Sequence, residues 1–171
     1  MIKGKQTKQE AQTTNLLISL LMRFPEIMSI NYDMQKERCK FTFILNDTVN
    51  REKYCAFKKM LNESLSVFRD MTDESFFLST KITRSGKITL IESTCGAFDL
   101  SLDAIQLIIS LVDSFFCDII VRDYDAVEMA RDEEVIKQEE IIEYLLCNTT
   151  GAKKENLIAF REAGKVYIYD K

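Results

Sequence analysis

The residue types able to do chemistry are few in this chain, and one is missing altogether: its 171 residues include no histidine. That removes Ser-His-Asp and Cys-His nucleophiles, His-ligated zinc or iron, and imidazole acid–base work. Any catalysis would have to run on carboxylates, lysine, tyrosine or an unassisted thiol. Cys95 is the candidate reactive thiol, because Glu92-Ser93-Thr94-Cys95-Gly96 closes an expected strand and enters a loop. A reactive cysteine needs its pKa lowered by a cation or a helix N-terminus. Glu92 and Asp99 oppose that, so an unreactive strand-end cysteine is the stronger expectation and an enzyme the weaker one.

Eight acids and two bases fall between Asp125 and Glu143. Glu128 and Asp132, and again Glu139 and Glu143, are four apart, a spacing at which two carboxylates share a helix face and can take Mg²⁺ or Mn²⁺. Di-metal bundle sites normally add histidine, and no calcium loop of alternating Asp/Asn is present. A solvated acidic face is expected, with no metal and no cofactor. Thr83-Arg84-Ser85-Gly86-Lys87 ends like a phosphate loop but lacks the upstream glycine and lies in a hairpin. The candidate phosphate contacts are Lys53, Lys58 and Lys59 on a helix, and Arg84 and Lys87 at the hairpin tip.

Composition narrows the class. The net charge is −4 and the pI near 5.1, which disfavours broad nucleic-acid or anionic-membrane binding. One proline and five glycines argue for few long loops. The five cysteines are odd in number and none forms a C-x-x-C pair, so neither a disulfide framework nor a zinc site is expected. The most apolar run, Leu102 to Val121, is broken by Asp103, Gln106, Asp113 and Asp118, too many polar groups for a bilayer span. The N-terminal residues lack a signal-peptide layout, so a cytoplasmic setting is expected.

The elements that would position these residues follow from periodicity. Glu10 to Phe24 reads as a helix with Leu16, Leu17, Leu20, Leu21 and Phe24 on one face, ended by Pro25. Residues 26–32 and 38–45 read as a hairpin, in which Met28, Ile30 and Tyr32 share a face, as do Cys39, Phe41, Phe43 and Leu45. Asn46-Asp47-Thr48 would cap a helix from about Val49 to Met71, its stripe being Tyr54, Phe57, Leu61, Leu65 and Phe68. Residues 75–96 read as a second hairpin. A three-residue Arg84-Ser85-Gly86 loop pairs Ile82 with Ile88 and Thr80 with Leu90, keeping apolar residues opposed. Asp99 or Ser101 caps a third helix over 102–112. Residues 115–122 then read as a buried strand, 124–147 as a long acidic helix, and 153–171 as a hairpin with a Glu162-Ala163-Gly164 loop. A helix over 153–163 capped by Gly164 is the alternative for that last stretch.

The order strand-strand-helix thus occurs twice. The expected fold class is α+β: an antiparallel or mixed sheet built from hairpin-helix units, with helices mainly on one face. Residues 1–9 are expected as a flexible tail, 10–122 as the main domain, and 123–171 as a helix plus hairpin packed on it or appended to it. The helix over 102–112 is apolar nearly all round and must be covered on both sides. Cover from within the chain is favoured. If a second copy covers it, Ile105, Ile108, Ile109 and Val112 are the candidate seam. The functional expectation is a non-catalytic module that binds a protein partner or itself as a homodimer. The alternatives are an RNA- or ribosome-associated module, and a small-ligand binder or enzyme using carboxylates or Cys95.

Overall fold

The structure is a computed structural model and describes residues 2–73, 75–123, 132–148 and 156–171. Those residues form α1 (Ile2–Arg23), β1 (Ser29–Asp33), β2 (Arg38–Leu45), α2 (Arg51–Thr72), β3 (Leu78–Ser85), β4 (Ile88–Gly96), α3 (Leu102–Phe116), α4 (Asp132–Asn148), β5 (Asn156–Glu162) and β6 (Lys165–Asp170). One six-stranded sheet, ordered β3-β4-β2-β1-β5-β6, is antiparallel throughout. It is three hairpins laid side by side, with β1–β2 in the middle. The fold is α+β, as the hairpin-helix pattern requires.

The helices cover one face. Ile30 and Tyr32 of β1, Cys39, Phe41, Phe43 and Leu45 of β2, Ile91 and Cys95 of β4, and Leu157 and Ala159 of β5 alternate onto that face and are buried. Leu16, Leu17, Leu20 and Leu21 of α1, and Phe24 just after it, lie against them. Phe57, Leu61 and Leu65 make the buried stripe of α2, each contributing about 1.5–3 kcal/mol by leaving water. Phe57 meets Phe115 and Phe116 of α3 at 5.5 and 5.1 Å between ring centroids. Arg23 of α1 and Gln106 of α3 both donate to Glu139 Oε1, which ties three helices together. Among the described residues no helix is long and apolar enough to cross a membrane.

Several boundaries differ from the sequence expectation. The backbone of α1 is helical from Ile2 instead of Glu10. Residues 2–9 lack an apolar stripe, but their three lysines and two glutamines are good helix formers and continue the turn. The cap of α2 is Asn50, whose Oδ1 accepts from Lys53 N at 2.8 Å; Asp47 instead closes on Thr48 N. Ser101 caps α3 through Ala104 N at 3.2 Å.

Residues 115–122 are not a strand. Helix α3 runs on through Phe116, and only Ile120 bridges, pairing antiparallel with Leu45. Asn46 N donates to Ile119 O and Val121 N to Ile44 O, both at 2.8 Å. The apolar Ile119-Ile120-Val121 run fills the slot beside the end of β2, before β1 begins, and that slot is one bridge long.

Both outer hairpins have shorter loops than the apolar pattern suggests. In β3–β4, Ser85 pairs with Ile88, so the loop is Gly86-Lys87 and Ile82 faces Ile91, not Ile88. Gly86 takes φ 62° at the first loop position, the sign a type II′ turn demands. The core face of β4 is Thr89, Ile91, Ser93 and Cys95, so two polar residues lie inside. Thr89 Oγ1 donates to Asp47 O at 2.8 Å and Ser93 Oγ lies 3.4 Å from Thr80 Oγ1, which satisfies both. In β5–β6 the hairpin reading holds over the helical one, but Glu162 pairs with Lys165 across Ala163-Gly164. Both loop residues have positive φ, 49° and 76°, as in a type I′ turn.

Candidate functional site

The nucleophile candidate lies in the core. Cys95 is 4% exposed, stands opposite Cys39 on β2, and donates from Sγ to Cys39 O at 3.6 Å. Burial, helped by the Asp99 carboxylate, pushes its thiol up to about 12, so at neutral pH it is protonated. Cys39 is raised as well, by burial and by Cys95. The geometry suits two packed thiols, not a nucleophile.

The apolar helix is covered from within. Ile105, Ile108, Ile109 and Val112 are 1, 2, 8 and 0% exposed, lying in the one core cluster. They present nothing to a partner. The basic candidates do not converge. Lys53 sits over the Phe116 ring at 5.5 Å and Lys58 over Tyr54 at 5.2 Å, both on the helix layer, and Lys59 is exposed on the same helix. Arg84 turns back to Gly86 O at 3.2 Å at the hairpin tip beside Lys87.

The carboxylates are similarly dispersed. Among the described residues no three potential ligands gather for a metal. Glu139 is engaged by Arg23 and Gln106, while Glu140 and Glu143 are exposed. Asp125 and Glu128 lie outside the described residues.

What remains is a surface. Every strand turns its second face away from the helices, and no described helix lies on that side. The open face carries Ile44 and Leu90, opposed across β2 and β4. Lys40 there pairs with Glu92 at 2.9 Å. Toward the β5–β6 end it becomes aromatic. Phe160 stacks on Tyr167 at 5.4 Å and on Tyr169 at 5.6 Å, with interplanar angles of 21° and 9°. Tyr167 is 38% and Tyr169 58% exposed. Asn31 and Asn156, neighbours across the β1–β5 seam on this face, each hold a side-chain oxygen shut off from water with no hydrogen-bond partner.

Sequence reasoning missed this ladder for one reason. A three-residue loop pairs Phe160 with Val166 and sends the tyrosines to the other face. The observed two-residue loop pairs Phe160 with Tyr167. A register change of one flips every side chain of the strand. The signal available was the Ala-Gly dipeptide, read as the whole loop.

A second feature unread in the sequence is an ionic lock under the sheet's other face. The Arg161 side chain, 3% exposed, pairs with Asp123 at 3.5 Å and donates to Phe24 O at 3.4 Å. Burial lowers its pKa and Asp123 opposes that shift. Arg122 joins Glu26 and Asp113. The groups anchor the segment after α3 to β5 and to the end of α1.

A groove of about 470 Å³ also runs along the outside of α1 and α4, lined by Ile18, Ile141, Tyr144 and Leu145. The class these features define is an α+β protein whose described residues form two layers, with one sheet face covered by helices and one left open. No protein-family model, no curated protein and no solved structure matches the chain.

Proposed function

We propose that this chain is a non-catalytic interaction module whose contact surface is the β5–β6 end of the open sheet face. The observation that carries the reading is the Phe160–Tyr167–Tyr169 ladder, aromatic rings held in register on a face that no described helix covers. Aromatic side chains dominate protein contacts because each buries a large area at little cost in rotamer freedom. The buried thiol and the dispersed carboxylates favour binding over catalysis. Five unpaired cysteines fit a reducing, cytoplasmic setting.

The nucleic-acid reading has one observation on its side, since aromatic rings on an open sheet also stack bases. The helix cations the sequence offered for it lie elsewhere: Lys53, Lys58 and Lys59 belong to α2 on the opposite layer.

The test is native mass spectrometry of the purified chain and of a Phe160→Ser variant. Phe160 lies one strand in from the edge and is half-buried, so circular dichroism first establishes that the variant folds. The expected result is a protein-bound or self-associated species in the wild type that Phe160→Ser loses. A wild-type chain carrying no protein and no second copy overturns the reading. Co-purified nucleic acid moves it to the RNA class, and a retained small mass moves it to the ligand class.

A further inference from the structure

The sheet has two edges, and they differ. Strand β3, Leu-Ser-Thr-Lys-Ile-Thr-Arg-Ser, carries Lys81 in its middle and Arg84 near its end, both exposed. Mid-strand charge is a standard guard against edge pairing. Strand β6, Lys-Val-Tyr-Ile-Tyr-Asp, keeps its charges at its two ends and places four strong strand formers, Val166 to Tyr169, between them. It has no proline and no bulge. Among the described residues no strand pairs with its outer side.

Hydrogen-bond parity shows what that outer side offers. Lys171 N donates to Asn156 O at 2.8 Å. That closes a hydrogen-bonded pair with β5, so Lys165, Tyr167 and Tyr169 also turn their backbone groups inward. The N–H and C=O groups of Val166, Ile168 and Asp170 therefore point outward, unpaired by the sheet.

We infer that β6 is the seam of a homodimer, pairing antiparallel with β6 of a second copy about a two-fold axis normal to the sheet at Tyr167. This deepens the proposed interaction reading and rests on it. The strand is self-complementary in that register. Val166 meets Ile168 of the second copy in hydrogen-bonded pairs, both half-buried aliphatics on the helix side. Tyr167 meets its own counterpart in a non-hydrogen-bonded pair, where opposed side chains come closest. Lys165 lies across from Tyr169, and Asp170 from Gly164, so no like charges oppose. The positive start of each strand meets the negative end of the other. On the open face the rings then run Phe160, Tyr167, Tyr167, Phe160 across the seam, and the two six-stranded sheets join as one. A second copy is favoured over an unrelated strand because one register matches both faces and both charged ends at once.

The dyad position gives a decisive test. In Tyr167→Lys or Tyr167→Asp, like charges face each other at the axis; in a mixture of the two variants, opposite charges do. Circular dichroism checks that each variant folds, and analytical ultracentrifugation reads the assembly. The expected result is a concentration-dependent wild-type dimer, monomers for each variant alone, and restored dimer in the equimolar mixture. A monomeric wild type, a dimer that survives either substitution, or a mixture that stays monomeric overturns the edge pairing. The two readings fail separately. A monomeric wild type that binds another protein through Phe160 sinks only the dimer, whereas a charge-rescued dimer unaffected by Phe160→Ser leaves the edge and removes the sheet face as the contact surface.

Discussion

At the scale of single residues, burial decides what the ionisable groups can do. Cys55, Cys117 and Cys147 are exposed, while Cys39 and Cys95 are buried. Alkylation of the folded protein should therefore add three labels, with two more appearing only in denaturant; mass spectrometry counts them, and five labels at once would contradict the packing. The buried thiols also set an alkaline limit. Cys95 is raised from its ordinary 9.0 to about 12, so the folded chain holds a proton that the unfolded chain releases. Its stabilising contribution is complete below the unfolded value and is lost as pH climbs toward the folded one. Stability should fall between those limits, by at most about 1.4 kcal/mol per pH unit for each such thiol. Urea midpoints at about pH 8 and about pH 11 measure the fall, and Cys95→Ala should shallow it. Arg161 tests the opposite case, a charge kept buried by its partner. Arg161→Met leaves Asp123 confined beside Glu26, and should cost about 3 kcal/mol. Asp123→Asn in that background should recover part of the loss, because the stranded charge is then gone.

At the scale of elements, the turn between β5 and β6 is where local chemistry and fold disagree. Ala163 sits at φ 49°, a conformation that L side chains with a Cβ resist and that Asn and Gly accept. Ala163→Asn should stabilise the protein by about 0.5–1 kcal/mol, read as a higher denaturation midpoint. Asn50→Ala, which strips the cap of α2, should cost about 1 kcal/mol, whereas Asp47→Ala should cost less because Asp47 caps no helix. This is also the scale at which the sequence was most and least legible. The alternation in β1 and β2 and the stripes of α1, α2 and α3 could be read directly, since their buried positions are apolar. Register was not legible, because Thr89 and Ser93 are polar and buried, satisfied by Asp47 and Thr80, while Ile88 stands 38% exposed. A rule that pairs apolar with apolar then selects the wrong face. The same rule hid the aromatic ladder, the candidate site proposed for contact, by one residue of loop length. The 115–122 stretch misled differently: its β-branched residues do bury, but against a slot one bridge long.

At the scale of the whole molecule, the question is whether the last hairpin is an attachment or a structural part. The strand order answers in favour of a part. Strand β5 pairs with β1, and β1 lies at the middle of the sheet, so the chain's last elements close on one of its first. Leu157 and Ala159 enter the same core as α1, and Arg161 holds Phe24 O and Asp123 together. Removing residues 149–171 would open the β1 edge along its full length, uncover the apolar side chains of α1, and strand Asp123. The truncated chain should lose cooperative unfolding and associate through the bared strand. The full chain should unfold in one transition, with Cys39 labelling and the near-ultraviolet signal of Tyr167 and Tyr169 following the same urea midpoint. A truncated chain that kept a sharp transition would make the hairpin an appendage, and the aromatic ladder a feature the fold could do without. If the two signals instead coincide, the surface proposed for contact is built on the core itself, because Phe160 belongs to the same strand that carries Arg161 and Ala159. A partner bound there would then stabilise the whole protein against urea, and that shift would report binding without a labelled ligand.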